Sequence, residues 1–295
     1  MTARTTASRL ETLLPLLACP ACRGSLRAKG QSLACSGCPA RYPIHAGRPV
    51  FLPGPDATPR VMPIGHISNQ PPGSVLDWMT WFDGWVLNVG AGGTLVKLEN
   101  CVEAEYSIFR NTDVVTDAHH LPFADAAFDA VVSFNTFEHL YDPNAAAAEI
   151  SRVLKPGGRL VVHTAFLQPV HEPPHHYYNV TEYGLRKWFE AFDISEVSVS
   201  ENFQPAHVLG WLSSAILRAV EAAQGPEARE RLASTSLAFW QAGWGDAGNR
   251  KHPLWDLLRQ LPQEAQKHFS AGFQLDATKP DPAQSHRRRT PTRPS

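Results

Sequence analysis

Residues 85–94 read WVLNVGAGGT, and this stretch decides the fold of the larger part of the chain. The apolar run VLNV is typical of a buried strand, and the glycines after it favour a tight turn that lets the backbone approach a ligand. A dinucleotide-binding turn requires G-x-G-x-x-G, and Gly90, Gly92 and Gly93 do not have that spacing. The residues that follow the turn must therefore define the kind of site.

Two more apolar runs follow, DAVVSF at residues 129–134 and GRLVVHTAF at residues 158–166. The segment NAAAAEISRVL between them predicts a helix that Pro143 opens and the sequence Pro-Gly-Gly at 156–158 ends. Apolar strands that alternate with helices are typical of a parallel sheet covered on both faces. The sequence therefore predicts an α/β fold with a doubly wound, mostly parallel, Rossmann-like sheet.

The composition indicates a folded protein without a strong electrostatic field. Of the 295 residues, 43% are hydrophobic and 19% are charged, and the formal net charge is −1. This balance gives no overall attraction for nucleic acid or an anionic membrane. No apolar run reaches the roughly 18 residues of a spanning helix, and Pro15 breaks the apolar stretch before Cys19 that would resemble a lipoprotein signal. We therefore expect no membrane span and a cytoplasmic location.

Four cysteines near the start of the chain predict a metal site. Cys19 and Cys22 form one C-x-x-C pair, and Cys35 and Cys38 form a second pair after twelve intervening residues. Two such pairs joined by a short hairpin suit one tetrahedral ion, and a site closed by four thiolates is structural rather than catalytic. Zinc is the expected metal, although iron uses the same ligand set. In a segment this short the metal supplies the folding energy, on the order of 10 to 16 kcal/mol.

The stretches LLACPACRGSL, CSGC and YPIHAGRPVFLP, within residues 17 to 53, resemble the short zinc ribbon of the tRNA methyltransferase activator subunit. This resemblance implies a scaffold or a contact surface for a protein partner. It implies no catalytic role for the metal.

A second resemblance covers residues 84 to 192. Glu105 closes the segment CVEAEY, Asp117 opens DAHHLPFADAAFDAVVSFNTFEHL, and LKPGGRLVV leads into the last clear strand. In this order and spacing the motifs resemble the class I S-adenosylmethionine-dependent methyltransferases, in particular the methyltransferase type 11 group. The resemblance implies an enzyme that takes S-adenosyl-L-methionine as its methyl donor.

The resemblance also implies roles for particular residues. The glycine turn passes under the methionine part of the cofactor, Glu105 holds the ribose hydroxyls, and the pairs at 117–118 and 135–136 lie beside the adenine and the methyl group. The implied cofactor contacts are Asn88, Gly90, Ala91, Gly92, Glu105, Asp117, Ala118, Asn135 and Thr136. Asn88 and Thr94 replace an acidic residue and a third glycine of the family. The interval from Gly93 to Glu105 is short for the usual first helix.

Candidates for the substrate side lie in the loop after the last clear strand and, for His139, in the segment FNTFEHL after the strand before it. The predicted catalytic residues are His139, His171, His175 and Tyr177, since a histidine can accept a proton from a hydroxyl near neutral pH. The alternative is that these side chains order a lid by hydrogen bonding and aromatic packing. His171 and His175 are four positions apart, but Pro173 and Pro174 between them do not suit a helix, which disfavours a second metal site with helical ligand spacing.

The chain is predicted to contain six segments. They are an N-terminal lead (1–16), a zinc ribbon (17–54), a linker (55–80), a cofactor-binding methyltransferase domain (81–200), a helical extension (201–275) and a disordered tail (276–295). The helical extension would form a cap, a dimer interface or a partner contact.

These features favour methyl transfer from S-adenosylmethionine, by in-line displacement, to a small or medium-sized acceptor. One alternative is an RNA-directed methyltransferase whose ribbon contacts RNA. The ribbon disfavours it, because its basic residues are scattered and no aromatic stacking platform accompanies them; they are Arg23, Arg27, Lys29, Arg41 and Arg48. The other alternative is a non-catalytic binding or scaffold protein with a degenerate cofactor site.

Overall fold

A computed structural model describes residues 9–54, 58–271, 273 and 275. The chain divides into two compact units, Met1–Ser213 and Ser214–Ser295. The predicted disordered tail (276–295) lies outside the described residues, as do residues 1–8 of the predicted N-terminal lead and residues 55–57 of the predicted linker.

The N-terminal ribbon is a four-stranded antiparallel sheet. Its strands, in spatial and chain order, are β1 (Leu26–Lys29), β2 (Ser32–Cys35), β3 (Arg41–His45) and β4 (Arg48–Pro49). Gly30 has a φ of +60° in the two-residue turn between the first pair, a conformation that glycine adopts without strain. The hairpin brings the two C-x-x-C segments together, as the sequence predicts.

The central sheet has five parallel strands. They are β5 (Val86–Val89), β6 (Cys101–Glu105), β7 (Val114–Val115), β8 (Phe128–Phe134) and β9 (Leu154–His163), in the order β7-β6-β5-β8-β9. The strand order reverses at β5, which has β6 on one side and β8 on the other. A crevice can therefore form at the carboxyl end of β5. In open α/β sheets this point is where ligands bind. The predicted fold class is confirmed.

Helices cover both faces of the sheet. On one face α1 (Gly73–Trp81) packs Met79 against side chains such as Val86, and α2 (Pro143–Val153) covers the other face. Asp142 caps α2 by accepting a hydrogen bond from the Ala145 amide at 3.0 Å. The predicted helix stop at residues 156–158 lies too far along the chain. The helix ends at Val153, and the Pro-Gly-Gly stretch forms an irregularity within β9.

The ribbon and the central sheet share one hydrophobic core. Leu26, Leu33 and Phe51 of the ribbon belong to the same buried cluster as Leu87 and Val102 of the sheet. Burial of a side chain of this size contributes about 1.5 to 3 kcal/mol. Folding of the ribbon and folding of the sheet therefore stabilise each other.

Backbone hydrogen bonds also join the ribbon to the sheet. The Phe51 amide donates to the Val115 carbonyl at 2.8 Å, and Val50 pairs in parallel with Val115 at the sheet edge. At a second place the Ala18 amide donates to the Pro122 carbonyl at 2.9 Å. The chain that leaves the ribbon thus covers the edge of β7, which would otherwise be an unpaired sheet edge.

The first unit continues with α3 (Glu182–Trp188), and α4 (Pro205–Gln224) begins in it and ends in the second unit. The second unit has its own small core around Val220, Leu232 and Leu257. Its further helices are α5 (Pro226–Ala233), α6 (Leu237–Gly245), α7 (Pro253–Arg259) and α8 (Gln263–Lys267). Among the described residues, no helix is long and apolar enough to cross a membrane.

The shared core predicts that damage to the ribbon destabilises the whole first unit. Phe51 is 4% exposed and packs on Tyr42, with ring centroids 4.7 Å apart. We expect Phe51→Ala to lower the free energy of unfolding by about 3 to 5 kcal/mol, because it leaves a cavity in the common core. Urea unfolding followed by circular dichroism measures this effect.

The matched control for Phe51→Ala is Ile64→Ala, whose side chain is 79% exposed and whose loss should change stability little. An unfolding midpoint of the central sheet unchanged by Phe51→Ala would contradict the shared core.

Candidate functional site

A cavity of about 1900 Å³ opens at the carboxyl ends of β5, β6 and β8, where the strand order reverses. Most of the predicted site residues line it: Gly90, Gly92, Glu105, Asp117, Ala118, Asn135, Thr136, His139, His171, His175 and Tyr177. Asn88 and Ala91 do not line this cavity. The fold thus brings residues from six separate segments of the chain to one place.

The glycine turn after β5 is a point of close backbone approach. Gly90 and Gly92 have φ values of +68° and +60°, which glycine adopts without strain. A Cβ on Gly90 would lie 2.1 Å from Thr136 Oγ1, and a Cβ on Gly92 would lie 2.6 Å from Ser68 Oγ. Both positions therefore exclude larger residues. As the short sequence interval predicts, no residue from 90 to 100 is helical.

The predicted linker contributes a part of the site that sequence reasoning missed. Residues 66–70, here named the strap, run across the glycine turn. Ser68 Oγ accepts a hydrogen bond from the Gly93 amide at 2.9 Å, Asn69 Nδ2 donates to the Gly90 carbonyl at 2.7 Å, and Gln70 Nε2 donates to the Gly93 carbonyl at 2.9 Å. The sequence signal for this contact was the run of three consecutive polar side chains, Ser68 to Gln70, in an otherwise Pro- and Gly-rich stretch.

Glu105 is fixed at the end of β6, facing the glycine turn. Its Oε2 accepts from the Gly92 amide at 2.9 Å, and its Oε1 accepts from the amides of Tyr106 at 2.7 Å and Ser107 at 3.3 Å. Burial raises the pKa of Glu105, and these three amides work in the opposite direction. A carboxylate has about four acceptor sites, so Oε2 retains capacity for one more hydrogen bond.

Asn88 contacts the interior of the sheet. Its Nδ2 donates to Glu103 Oε2 at 3.0 Å, and Glu103 is 3% exposed. Burial raises the pKa of Glu103 to about 7, although the nearby Lys97 ammonium favours ionisation. In the family-typical arrangement an acid stands at position 88. A carboxylate there would face Glu103 as a second buried acid, whereas the amide can donate to it.

Asp117 is held by a histidine that the sequence did not single out. Its Oδ1 accepts from the His119 amide at 2.9 Å and also bonds the His119 ring. Burial opposes ionisation, but the hydrogen bonds from His119 outweigh it and lower the pKa of Asp117. The His119 ring stacks on Tyr141 at 4.0 Å between centroids. Asp117 is therefore an ionised, oriented acceptor at the wall of the cavity.

The predicted catalytic residues lie together on the opposite wall. The His139 and His171 rings are 5.0 Å apart, and His139 Nδ1 lies 2.9 Å from the His175 carbonyl oxygen. The Tyr177 amide donates to the Glu138 carbonyl at 2.8 Å, which fixes the loop after β9 against the end of β8. The buried Glu138 behind these residues was not among the predicted site residues. Its position in the run FNTFEHL after a strand was the only signal.

The four cysteines of the ribbon form a compact cluster in which all sulfur atoms lie within 4.8 Å of one another. The Cys19–Cys38 and Cys22–Cys35 sulfur distances are 3.7 and 3.4 Å, close to the roughly 3.8 Å that follows from tetrahedral Zn–S bonds of about 2.3 Å. The Gly37 amide donates to Cys35 at 3.2 Å and lowers the pKa of that thiol to about 7. The cluster fits one zinc ion.

Comparison with known families supports both parts of the first unit. Residues 95–162 match the model described as a methyltransferase domain, and residues 11–47 match the model described as Trm112p-like protein. Part of the central sheet region is thus similar to a methyltransferase domain, and the ribbon is similar to Trm112p-like protein, as the two resemblances predict.

Individual relatives match over short stretches. The ubiquinone/menaquinone biosynthesis C-methyltransferase UbiE of Haemophilus ducreyi is 40% identical over 72 residues, which cover 24% of this chain and 27% of UbiE. The demethylmenaquinone methyltransferase of Mycolicibacterium paratuberculosis is 38% identical over 91 residues, covering 26% of this chain and 40% of that protein. The chain thus spans less than half the length of these curated relatives.

Among solved structures, a chain in the complex between the Haloferax volcanii Trm112 methyltransferase activator and a methyltransferase is 18% identical. The alignment covers 43% of this chain and 75% of that chain, with a TM-score of 0.28. The YcgJ protein of Bacillus subtilis is 15% identical, with coverages of 65% and 85% and a TM-score of 0.33.

The raised pKa of Glu103 predicts how stability depends on pH. Its ordinary value is 4.5 and its value in the folded protein is about 7, so between these two pH values only the unfolded chain releases the proton. Stability therefore falls as pH rises through this window, by about 3 to 4 kcal/mol in total. Glu103→Gln removes this loss, so urea unfolding at pH 5 and pH 8 should show a larger gain over wild type at pH 8.

Glu196→Gln, at an exposed position, is the control and should track wild type at both pH values. An equal effect of Glu103→Gln at the two pH values would refute the assignment.

The strap predicts a sharp steric limit at Gly93. A Cβ there would lie 2.4 Å from the His66 carbonyl oxygen, which is backbone and cannot rotate away. We expect Gly93→Ala to cost about 1 to 3 kcal/mol of stability, measured as the midpoint of thermal unfolding.

The control is Gly210→Ala in α4, where a Cβ meets nothing within 4 Å and should add about 0.5 to 1 kcal/mol through helix propensity. Similar midpoints for the two variants would show that the strap does not press on the turn.

Proposed function

We propose that this protein is an S-adenosylmethionine-dependent methyltransferase that acts on a small or medium-sized acceptor. The observation that carries the proposal is Glu105, held by the Gly92 amide at 2.9 Å so that a carboxylate stands beside the glycine turn at the reversal of the sheet. The remaining acceptor site of Oε2 can accept a hydrogen bond from a ribose hydroxyl. The matched methyltransferase domain model supports the same assignment.

The residues present fit the nucleoside part of such a cofactor. Gly90 and Gly92 line the cavity with backbone alone, and Asp117 is an oriented acceptor on the neighbouring strand end. The cofactor supplies a methyl group on an electrophilic sulfonium. The chain therefore needs mainly to align the acceptor and to exclude water, which agrees with the absence of a nucleophile–base pair among the described lining residues.

The size of the cavity leaves room for an acceptor. Ligand sites commonly measure about 300 to 1,000 Å³, and this cavity measures about 1900 Å³. The wall formed by the loop after β9 and the start of α4 carries large apolar side chains that are partly exposed, namely Phe166, Leu167, Leu209 and Trp211. An acceptor with an apolar portion of moderate size suits this wall.

A base is required only if the acceptor must lose a proton. His171 Nδ1 lies 3.0 Å from the Pro169 carbonyl oxygen and therefore carries the hydrogen of that bond, which leaves Nε2 as an acceptor. His139 is held in the same way by the His175 carbonyl. We propose that one of these Nε2 atoms receives the proton of a hydroxyl acceptor, while His175 and Tyr177 help to close the cavity.

The ribbon is proposed to hold structural zinc and to support its own methyltransferase domain. Arg23 donates to the Leu121 carbonyl at 3.1 Å and to Glu149 at 2.9 Å, and Arg48 donates to the Thr112 carbonyl at 2.8 Å. These contacts engage two of the basic residues on which RNA binding would depend. Arg27 and Lys29 are exposed on β1, and this face of the ribbon is available to a protein partner.

Glu105→Gln tests the proposed function. The variant keeps the size of the side chain but removes its charge, and hydrogen bonds to charged groups contribute about 1.5 to 3 kcal/mol. We expect calorimetric titration with S-adenosylmethionine to show binding to wild type and a Kd at least about tenfold higher for the variant. The same should hold for S-adenosylhomocysteine.

The control for Glu105→Gln is Glu196→Gln, whose Kd should equal that of wild type. Absence of binding by zinc-loaded wild-type protein would overturn the enzyme proposal and favour a scaffold role.

A further inference from the structure

The loop after β9 and the end of β8 bring together a second group of metal-ligating side chains. A carboxylate oxygen of Glu138 and one ring nitrogen each of His139 and His171 lie within 4.8 Å of one another. Glu138 and His139 belong to a short 3-10 helix, and His171 lies 32 positions further along the chain. No ligand spacing in the sequence indicates this group, because its members come from two separate segments.

Glu138 has a buried oxygen without a partner. Its Oε2 accepts a hydrogen bond from Thr164 Oγ1 at 2.9 Å, while Oε1 is fully buried and has no hydrogen-bond partner among the described residues. The side chain as a whole is 0% exposed. An unpaired buried carboxylate oxygen is costly, and a cation beside it removes that cost.

The two histidines are oriented as metal-binding histidines usually are. His139 Nδ1 is 2.9 Å from the His175 carbonyl oxygen, and His171 Nδ1 is 3.0 Å from the Pro169 carbonyl oxygen. A hydrogen bond from one ring nitrogen to a carbonyl fixes the tautomer and leaves the other nitrogen with a free lone pair. In both rings that nitrogen is Nε2.

A third histidine close by is not part of the ligand set. The His176 ring lies 4.3 Å from the His171 ring, but its Nδ1 accepts from the His171 amide at 3.2 Å and its Nε2 bonds Asn179 Oδ1 at 3.1 Å. Both of its nitrogens are therefore occupied. Its contacts instead hold the backbone of His171 in place.

From this geometry we infer that Glu138, His139 and His171 bind a divalent transition-metal ion, distinct from the ion of the ribbon. Two imidazoles and one carboxylate are ligands that Zn²⁺, Fe²⁺ and Mn²⁺ share. Bonds of about 2.1 Å to a tetrahedral ion place ligand atoms about 3.4 Å apart, and one ligand atom from each of the three residues already lies within 4.8 Å of the others. Both histidines line the cavity.

Three protein ligands leave at least one coordination position, and the histidines direct it toward the cavity. This position suits an oxygen atom of the acceptor, such as a hydroxyl whose pKa the ion lowers. With the ion bound, both Nε2 atoms are ligands, so the ion's effect on the hydroxyl replaces the histidine base proposed for the metal-free site. This last step rests on the proposed methyltransferase function, whereas metal binding itself does not.

Metal content tests the inference. Full-length protein is loaded with Zn²⁺, freed of loosely bound metal on a chelating resin, and analysed for zinc per chain by atomic emission. We expect two zinc ions per chain for wild type and one for Glu138→Gln and for His171→Ala. His175→Gln, a histidine of the same loop outside the ligand set, should retain two. One zinc per chain in wild type, or two in both ligand variants, would overturn the site.

Cobalt substitution of the wild-type protein provides a second readout that does not depend on variants. Co²⁺ bound by four thiolates gives intense sulfur-to-metal charge-transfer absorption, and Co²⁺ bound by nitrogen and oxygen gives only weaker ligand-field bands. A second equivalent of Co²⁺ should add the weaker bands without further charge-transfer intensity. Saturation after one equivalent would contradict the inference.

Calorimetry with S-adenosylmethionine on the same samples separates the two proposals. Protein that binds the cofactor but holds one metal keeps the methyltransferase proposal and loses the second metal site. Protein that holds two metals but binds no cofactor keeps the metal site and loses the methyltransferase proposal.

Discussion

The close backbone approach at the glycine turn is the constraint on which the cavity depends. Thr136 presses on Gly90 from one side, and the strap presses on Gly92 and Gly93 from the other, at distances where no Cβ fits. The same turn presents the Gly92 amide to Glu105 and thereby fixes that carboxylate at the end of β6. This one loop thus positions the ends of β5, β6 and β8 and the strap. The shape of the site therefore depends mainly on close contacts of the backbone and on few side chains.

The sequence predicted those parts of the fold that repeat a simple pattern. The apolar strand runs and the glycine turn identified the central sheet, since strands buried on both faces have few alternative placements. The paired C-x-x-C segments identified the ribbon for a similar reason. Four thiolates have few alternative placements, because they have one compact arrangement around an ion. The predicted end of α2 was wrong. The helix ends at Val153 because Leu154 already pairs with Phe128 of β8, and local sequence propensity does not include such a tertiary contact.

The parts that the sequence did not predict are those made by pairs of distant residues. The strap acts through single hydrogen bonds from Ser68, Asn69 and Gln70, which have no period and no motif. Glu138 approaches His171 only because the loop after β9 folds back. The contact of His119 with Asp117 is local, over two positions, but it belongs to no recognised motif. Asn88 is the opposite case, since its position in the motif indicated a cofactor contact while its amide is used by Glu103 inside the sheet.

The single polypeptide that joins the ribbon to the methyltransferase domain has a consequence for how the two associate. Their contact, through the Phe51 and Ala18 amides and a common core, forms by an intramolecular process whose effective concentration does not change on dilution. The interface therefore needs no affinity of the kind that separate subunits require. Each copy of the central sheet is also made together with one ribbon, so the supply of the two parts is matched by synthesis.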